Sequence, residues 1–348
     1  MIARRSLLAT AAACAVVGPA ASAPREVVDD AGRRVRLPER ISRVFPAGPP
    51  AAIALFALAP DTLLGWTNAW READRAFVDP RWADLPVVGR LTGRGGTANL
   101  ETVLSLRPDL ILDYGSVDRT YASLADRVQE QTGIPVVLLD GRFDAIAASF
   151  RALGRVLGRE ERGEAFAAYA EAVLADLDRR IAAIPPAARP KVYYGRGPNG
   201  LQTGLAGSIN VETLERVGAR NVAAALGRGG LTDVTIEQIL LWDPEVVVTT
   251  DPTFFRAVRH DPLWRGVSAL RSGRVHLSPP HPFGWIDFPP GPNRLIGVRW
   301  LAKVLYRDAF PEDLREPVRD FYARFYHRAP SEAQLDALLA TLVPLPPA

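Results

Sequence analysis

Between Arg159 and Ile184 the apolar residues Phe166, Tyr169, Ala170, Val173, Leu174, Leu177, Ile181 and Ile184 recur in steps of three and four. That spacing gathers them on one face of an α-helix and leaves Glu164, Glu171, Asp178 and Arg179 on the other. Pro185, Pro186 and Pro190 end the run, because proline lacks the amide donor and restrains the residue before it. At about 1.5 Å per residue such a helix spans roughly 35–40 Å, the width of a small domain. The sequence on either side explains a rod of that length. Asn99-Leu-Glu-Thr-Val-Leu-Ser-Leu-Arg-Pro-Asp-Leu-Ile-Leu-Asp113 precedes it, Thr235-Ile-Glu-Gln-Ile-Leu-Leu-Trp-Asp-Pro-Glu-Val-Val-Val-Thr249 follows it, and both obey one pattern. An N-cap, Asn99 or Thr235, precedes a first-turn glutamate, Glu101 or Glu237, where the helix dipole favours negative charge. The helix then meets Pro108 or Pro244, and an apolar run follows that suits a strand buried on both faces of a parallel sheet. The expected fold is α/β: two α/β lobes with mainly parallel sheets joined by one long α-helix.

The first 23 residues have the form of a secretory signal peptide. Arg4 and Arg5 stand before an apolar stretch from Leu7 to Val17, which runs into the small residues Gly18 to Ala23. The arginine pair suits either the twin-arginine or the general export route. Cys14, the only cysteine, reads as apolar filler of this stretch, with lipoprotein anchoring the alternative. Removing Arg4 and Arg5 takes the net charge from +3 to +1, and no basic run interleaved with aromatics occurs, so no nucleic-acid partner is expected. No later apolar run reaches membrane-spanning length. A periplasmic monomer without a cofactor is expected. Its domains are residues 1–23 as signal, 24–158 as the N-terminal lobe, 159–185 as the linking helix and 186–348 as the C-terminal lobe.

Within the first lobe the pattern predicts a hairpin over Val27 to Arg36, a strand at Arg43 to Pro46 and an apolar helix to Leu58. A glycine-rich loop at Gly93 to Gly96 follows, and beyond the repeat come a helix from Arg119 to Gln131, a strand from Val136 to Leu139 and a helix from Phe143 to Leu157. In the second lobe strands are expected at Val192 to Gly195 and Arg274 to Leu277. An aperiodic loop from Pro279 to Pro290 leads to helices over Asn293 to Leu305, Leu314 to Tyr326 and Glu332 to Leu342, and the tail from Pro344 is expected to fray.

Two matched units on either side of one linking helix, a leader, and the late Asn293-Arg-Leu-Ile-Gly-Val-Arg-Trp-Leu301 segment make the chain resemble the helical-backbone substrate-binding proteins of ABC importers. That family includes binders of iron-siderophores, haem, cobalamin and, in one branch, molybdate or tungstate. The resemblance implies a metal chelate or small anionic ligand held between the lobes and delivered to an ABC permease at the inner membrane. It also implies that Glu101 and Glu237 dock on permease arginines, though first-turn glutamates also simply favour the helix dipole.

Ligands of open α/β sheets sit beyond the carboxyl ends of the strands, and that rule selects the candidate binding residues. They are Trp66, Arg94, Tyr114 and Arg119 from the first lobe, with Arg196, His281 and Trp285 from the second. Arginine suits an anionic chelate or oxyanion through its planar fork, and the aromatics offer flat apolar faces. Trp66 and Tyr114 read equally as core or rim, Arg119 as a solvated first-turn residue, and Trp285 as an anchor of its own loop. A naked ferric ion calls for converging hard oxygen or imidazole donors, whereas these candidates mix arginine with aromatics, so a chelate is expected first, an oxyanion next and cobalamin third. Gly195-Arg-Gly-Pro-Asn-Gly200 matches a dinucleotide-binding pattern, but Pro198-Asn-Gly turns the chain before any helix starts. A metal-dependent hydrolase using His281 and Asp287 is the alternative from another class.

Overall fold

The computed structural model describes residues 25–93 and 96–346. The signal segment with Cys14, and Arg94 in the glycine-rich loop, lie outside the described residues. In chain order the elements used below are β1 (Arg25–Val28), β2 (Arg34–Leu37), β3 (Val44–Pro46), α1 (Pro49–Leu58), α2 (Leu100–Leu106), β4 (Leu110–Gly115), α3 (Arg119–Thr132), β5 (Val136–Asp140), α4 (Ile146–Leu157) and α5 (Glu160–Ala182). Then follow β6 (Lys191–Gly195), β7 (Gln202–Gly204), β8 (Arg220–Asn221), β9 (Leu231–Asp233), α6 (Ile236–Trp242), β10 (Val246–Thr249), β11 (Val275–Leu277), α7 (Arg294–Leu305), α8 (Arg315–Phe325) and α9 (Glu332–Leu339).

Two separate parallel sheets form, one on each side of α5. The first has the order β3-β4-β5 and the second β11-β10-β6-β8, while β1-β2 and β7-β9 are antiparallel ribbons. The apolar face of α5 is buried as its spacing requires, from Phe166 to Ile181. It is no free strut, because α4 folds back along it. The two backbones meet at Gly154 and Gly163, where a Cβ on Gly163 would stand 2.7 Å from the Phe150 carbonyl oxygen, closer than any side chain tolerates. All of α1 beyond its two leading prolines is buried, as suits a helix apolar on every side.

The repeated units are alike beyond their spelling. Asn99 caps α2 by accepting from the Thr102 amide, and Thr235 caps α6 in a reciprocal box with Gln238. Each helix ends on a non-glycine residue in the left-handed region, Arg107 (φ 47°) and Asp243 (φ 43°). At the sheet edges Arg43 donates to the Leu106 carbonyl and Lys191 to that of Trp242, cations placed on the last helical carbonyls. Asp109 and Glu245 accept the backbone amides of Arg43 and Lys191 in turn. The following strands, β4 and β10, each lie inside their sheet with a neighbour on both sides.

The C-terminal helices reach back across the molecule. Phe325 of α8 stacks on Phe166 of α5 at 4.3 Å, Tyr326 on Phe56 of α1 at 6.4 Å, and His327 Nε2 lies 2.7 Å from the Phe56 carbonyl. Arg294 also ties the lobes: without exposure, it reaches the Gly141 carbonyl in one lobe and pairs with Glu212 beside Ile209 O in the other. The expectation of a frayed tail is corrected, since the Leu345 amide donates to Val275 O on β11 at 3.0 Å and its side chain joins the second core.

Candidate functional site

At the carboxyl end of β4, Asp113 is buried and accepts from its neighbour's amide and from Thr92 Oγ1 at 3.2 Å. Burial outweighs those bonds and pushes its carboxyl up to about 6. Tyr114 is buried behind it, its phenol raised by burial and its hydroxyl without a partner among the described residues. The second lobe ends differently. Tyr194 Oη donates to Asp287 Oδ2 at 2.9 Å, Arg196 Nε reaches the same oxygen at 2.9 Å, and Asn210 Nδ2 meets Oδ1 at 2.9 Å. Arg196 spends another nitrogen on Gln202 at 2.7 Å, so its charge is neutralised and two of its three nitrogens are engaged before a ligand arrives. Its guanidinium lies 4.4 Å from the ring centroid of Phe288, which is 54% exposed at φ 61°. A buried network thus holds one face of an otherwise open ring.

Phe288 lines a cavity of about 160 Å³ between the lobes. From the first lobe come Pro49 and Ile53 of α1, Trp66, Thr67, Asn68, Trp70 and Arg71, and from the second Phe283 and Phe288. Trp66 and Trp70 meet edge to face at 4.6 Å, and Phe283 lies 5.5 Å from Trp70. The Trp66 indole donates to Trp82 O at 2.8 Å, which fixes the ring as a wall. Below it His281 Nδ1 meets Asp74 Oδ1 at 2.7 Å, and Asp74 also receives Arg71 at 2.6 Å. Those contacts fasten the loop of the second lobe to the first.

The structure therefore brings Trp66, His281 and Arg196 to the join of the lobes. Trp285 does not face the opening: it is fully buried with its indole donating to Tyr322 Oη at 3.1 Å. It sits there because α7 carries Gly297 beneath its carbonyl, where a Cβ would lie 1.9 Å away. Tyr114 is likewise a core residue, and Arg119 is exposed at the start of α3. Trp70, Phe283, Phe288 and Asp74 escaped the sequence reading, although Phe283 and Phe288 stand in the very loop that it selected. Glu101 and Glu237 are exposed in the first turns of α2 and α6, and the Glu237 carboxyl is lowered by its own amide and the Thr235 hydroxyl. The Gly195 to Gly200 stretch is a turn between β6 and β7 with no helix to receive phosphate.

Two parallel-sheet lobes, a spanning helix and an aromatic cavity between them define a two-lobed solute-binding protein. Residues 58–282 match the family model described as periplasmic binding protein, and the chain belongs to that family. It resembles a solved ABC transporter solute-binding protein from Sulfurospirillum deleyianum, with TM-score 0.81 and 30% identity over 91% of this chain and 99% of that one. The molybdate-binding protein MolA of Haemophilus influenzae is 25% identical over 88% of this chain and 92% of its own. A cobalamin-binding protein of Halobacterium salinarum is 28% identical over 57% of each. The chain is thus the substrate-binding component of an ABC importer and not an enzyme, and Asp287 is occupied by Arg196 rather than free for hydrolysis. No helix among the described residues is long and apolar enough to cross a membrane.

Proposed function

We propose that this protein captures a metal chelate with an organic periphery, of the iron-siderophore type, in the cavity between its lobes and hands it to an ABC permease. The observation that carries this reading is the cavity wall of Trp66, Trp70, Phe283 and Phe288. Aromatic walls favour a broad apolar ligand surface, whereas a small oxyanion needs converging donors. The hydroxyl, amide and guanidinium donors on the wall are Thr67, Asn68 and Arg71, the last drawn to Asp74, while Pro49 and Pro50 remove two amides from the first turn of α1 and Arg196 is already paired. Among the described residues no group of three or more His, Cys, Asp or Glu could hold a bare ion, which favours a chelated metal. Trp66, Trp70, Phe283 and Phe288 are the contacts we assign, with Arg196 and His281 holding the loop that presents them. Glu101 and Glu237 are assigned to permease docking, and the chain to the periplasm after loss of residues 1–23. We also keep the division into lobes at 24–158 and 186–348 around the linking helix.

A molybdate or tungstate oxyanion is the second reading, favoured by the length over which the chain resembles the molybdate-binding protein. Thermal unfolding with ferric siderophores, haem, cobalamin, molybdate and tungstate separates the two, because a ligand of the native state raises the midpoint. A shift with a ferric siderophore that is lost in Trp70→Ala supports the chelate. A shift with molybdate and tungstate alone overturns it.

A further inference from the structure

We propose that Leu104 and Leu240 are apolar anchors that seat the two lobes on the permease, each filling a recess beside the basic group that its neighbouring glutamate meets. The inference rests on the docking reading of Glu101 and Glu237 and extends it to the side chains that grip. A lone exposed leucine needs no partner. Yet Leu104 is 45% exposed and Leu240 38%, at matched positions of the two repeated helices. Each stands three residues after its glutamate, and residues three apart are neighbours on a helix surface. The same helices bury Val103 and Ile239 one position earlier, so their inward faces are already served. Both helices are held rigid, by a cap at one end and by Arg43 or Lys191 at the other. A carboxylate and a leucine repeated once per lobe fit a partner that itself offers two equivalent surfaces, each basic beside an apolar recess. A second copy of this chain fits badly, because a two-fold contact between such patches would bring carboxylate against carboxylate. The grip is unequal: Leu241, 84% exposed, flanks Leu240, while Ser105 stands at the matching place in the first lobe.

The test uses the full mature chain and the cognate permease with its ATPase in nanodiscs. Leu104→Ser with Leu240→Ser is expected to weaken docking tenfold to a hundredfold, the second-lobe change weighing more, with thermal midpoint and cargo binding unchanged. Docking that survives the serines but is abolished by Glu101→Arg with Glu237→Arg would overturn the anchors and leave the glutamate reading intact. Docking that survives both pairs would remove that reading and this inference together. Light scattering that finds a dimer of the parent and a monomer of the serine variant would assign the leucines to a second copy instead, and so overturn the proposal.

Discussion

The two lobes share a scaffold at one edge and part company at the other. At the amino ends of the strands the agreement is residue by residue: a cap, a first-turn glutamate, a left-handed C-cap before proline, and a cation returned to the last carbonyls. At the carboxyl ends nothing matches. The first lobe closes on Asp113, buried against the Thr92 hydroxyl and the Tyr114 amide, while the second closes on Asp287, buried among Tyr194, Arg196 and Asn210. A ligand need not present matched faces to the two lobes, so the cleft edge had freedom to diverge. The repeated edge is where a two-fold partner would meet the protein.

Breaking the second-lobe network has the largest expected effect. Asp287→Ala strands Arg196, whose side chain is 8% exposed, without its counter-ion, and takes the shared acceptor from Tyr194, which keeps Thr250, and from the Asn210 side-chain amide. Removing one partner of such a pair costs about 3–5 kcal/mol. Urea unfolding should register that loss, together with weaker cargo binding as Phe288 loses its support. A change within about 0.5 kcal/mol would show that the two acidic ends are equivalent after all.

The lobes should also answer acid with opposite signs. Asp113 is raised by burial to about 6, so its contribution is fully present below its ordinary value of 3.8 and is lost as pH rises through 6. His276 on β11 is lowered to about 4, by burial and then by Arg274 and Arg307. Its contribution is present above 6.5 and lost as pH falls towards 4. Each shift corresponds to about 3 kcal/mol, and the windows overlap, so the two offset each other between pH 4 and 6. Unfolding midpoints across that range should reveal each alone: Asp113→Asn leaves a protein that weakens on acidification, and His276→Val one that strengthens. Parallel slopes in the two variants would refute the contrast.

What the sequence made legible was whatever repeats or recurs locally. The face of α5, both helix–proline–strand units and the hairpin at residues 25–37 follow from spacing and turn chemistry within a few residues. The cleft did not follow, because its pairings are remote: His281 finds Asp74 across 207 positions, and Arg196 finds Asp287 across 91. Trp285 and Phe288 stand three residues apart in one aperiodic loop, yet one is core and the other open, a choice made by Gly297 admitting the loop backbone onto α7. The return of α8 to α1 is equally silent in the sequence, since its apolar stripe fits either lobe.

The smallest effect sharpens the comparison most, because it probes the edge where the lobes agree. Asn99 and Thr235 occupy the same position by different chemistry. Asn99 accepts from the Thr102 amide at 2.8 Å and from that residue's hydroxyl, whereas the Thr235 hydroxyl accepts from the Gln238 amide at 3.4 Å and the Thr235 backbone amide donates to Gln238 Oε1 at 2.9 Å. Alanine at 99 removes both side-chain bonds, while alanine at 235 keeps the backbone-donated one, so each change should cost about 1 kcal/mol, Thr235→Ala the less. Helices of seven residues have no stability to spare on their own, so the loss should appear locally, as faster amide exchange in α2 or α6 before global unfolding. Hydrogen exchange on Asn99→Ala and Thr235→Ala, compared helix for helix, measures this directly. Loosening of this order in both lobes would mean that the two edges are matched in rigidity as well as in shape, whereas loosening in one lobe alone would mean that only the other is built as a firm seat.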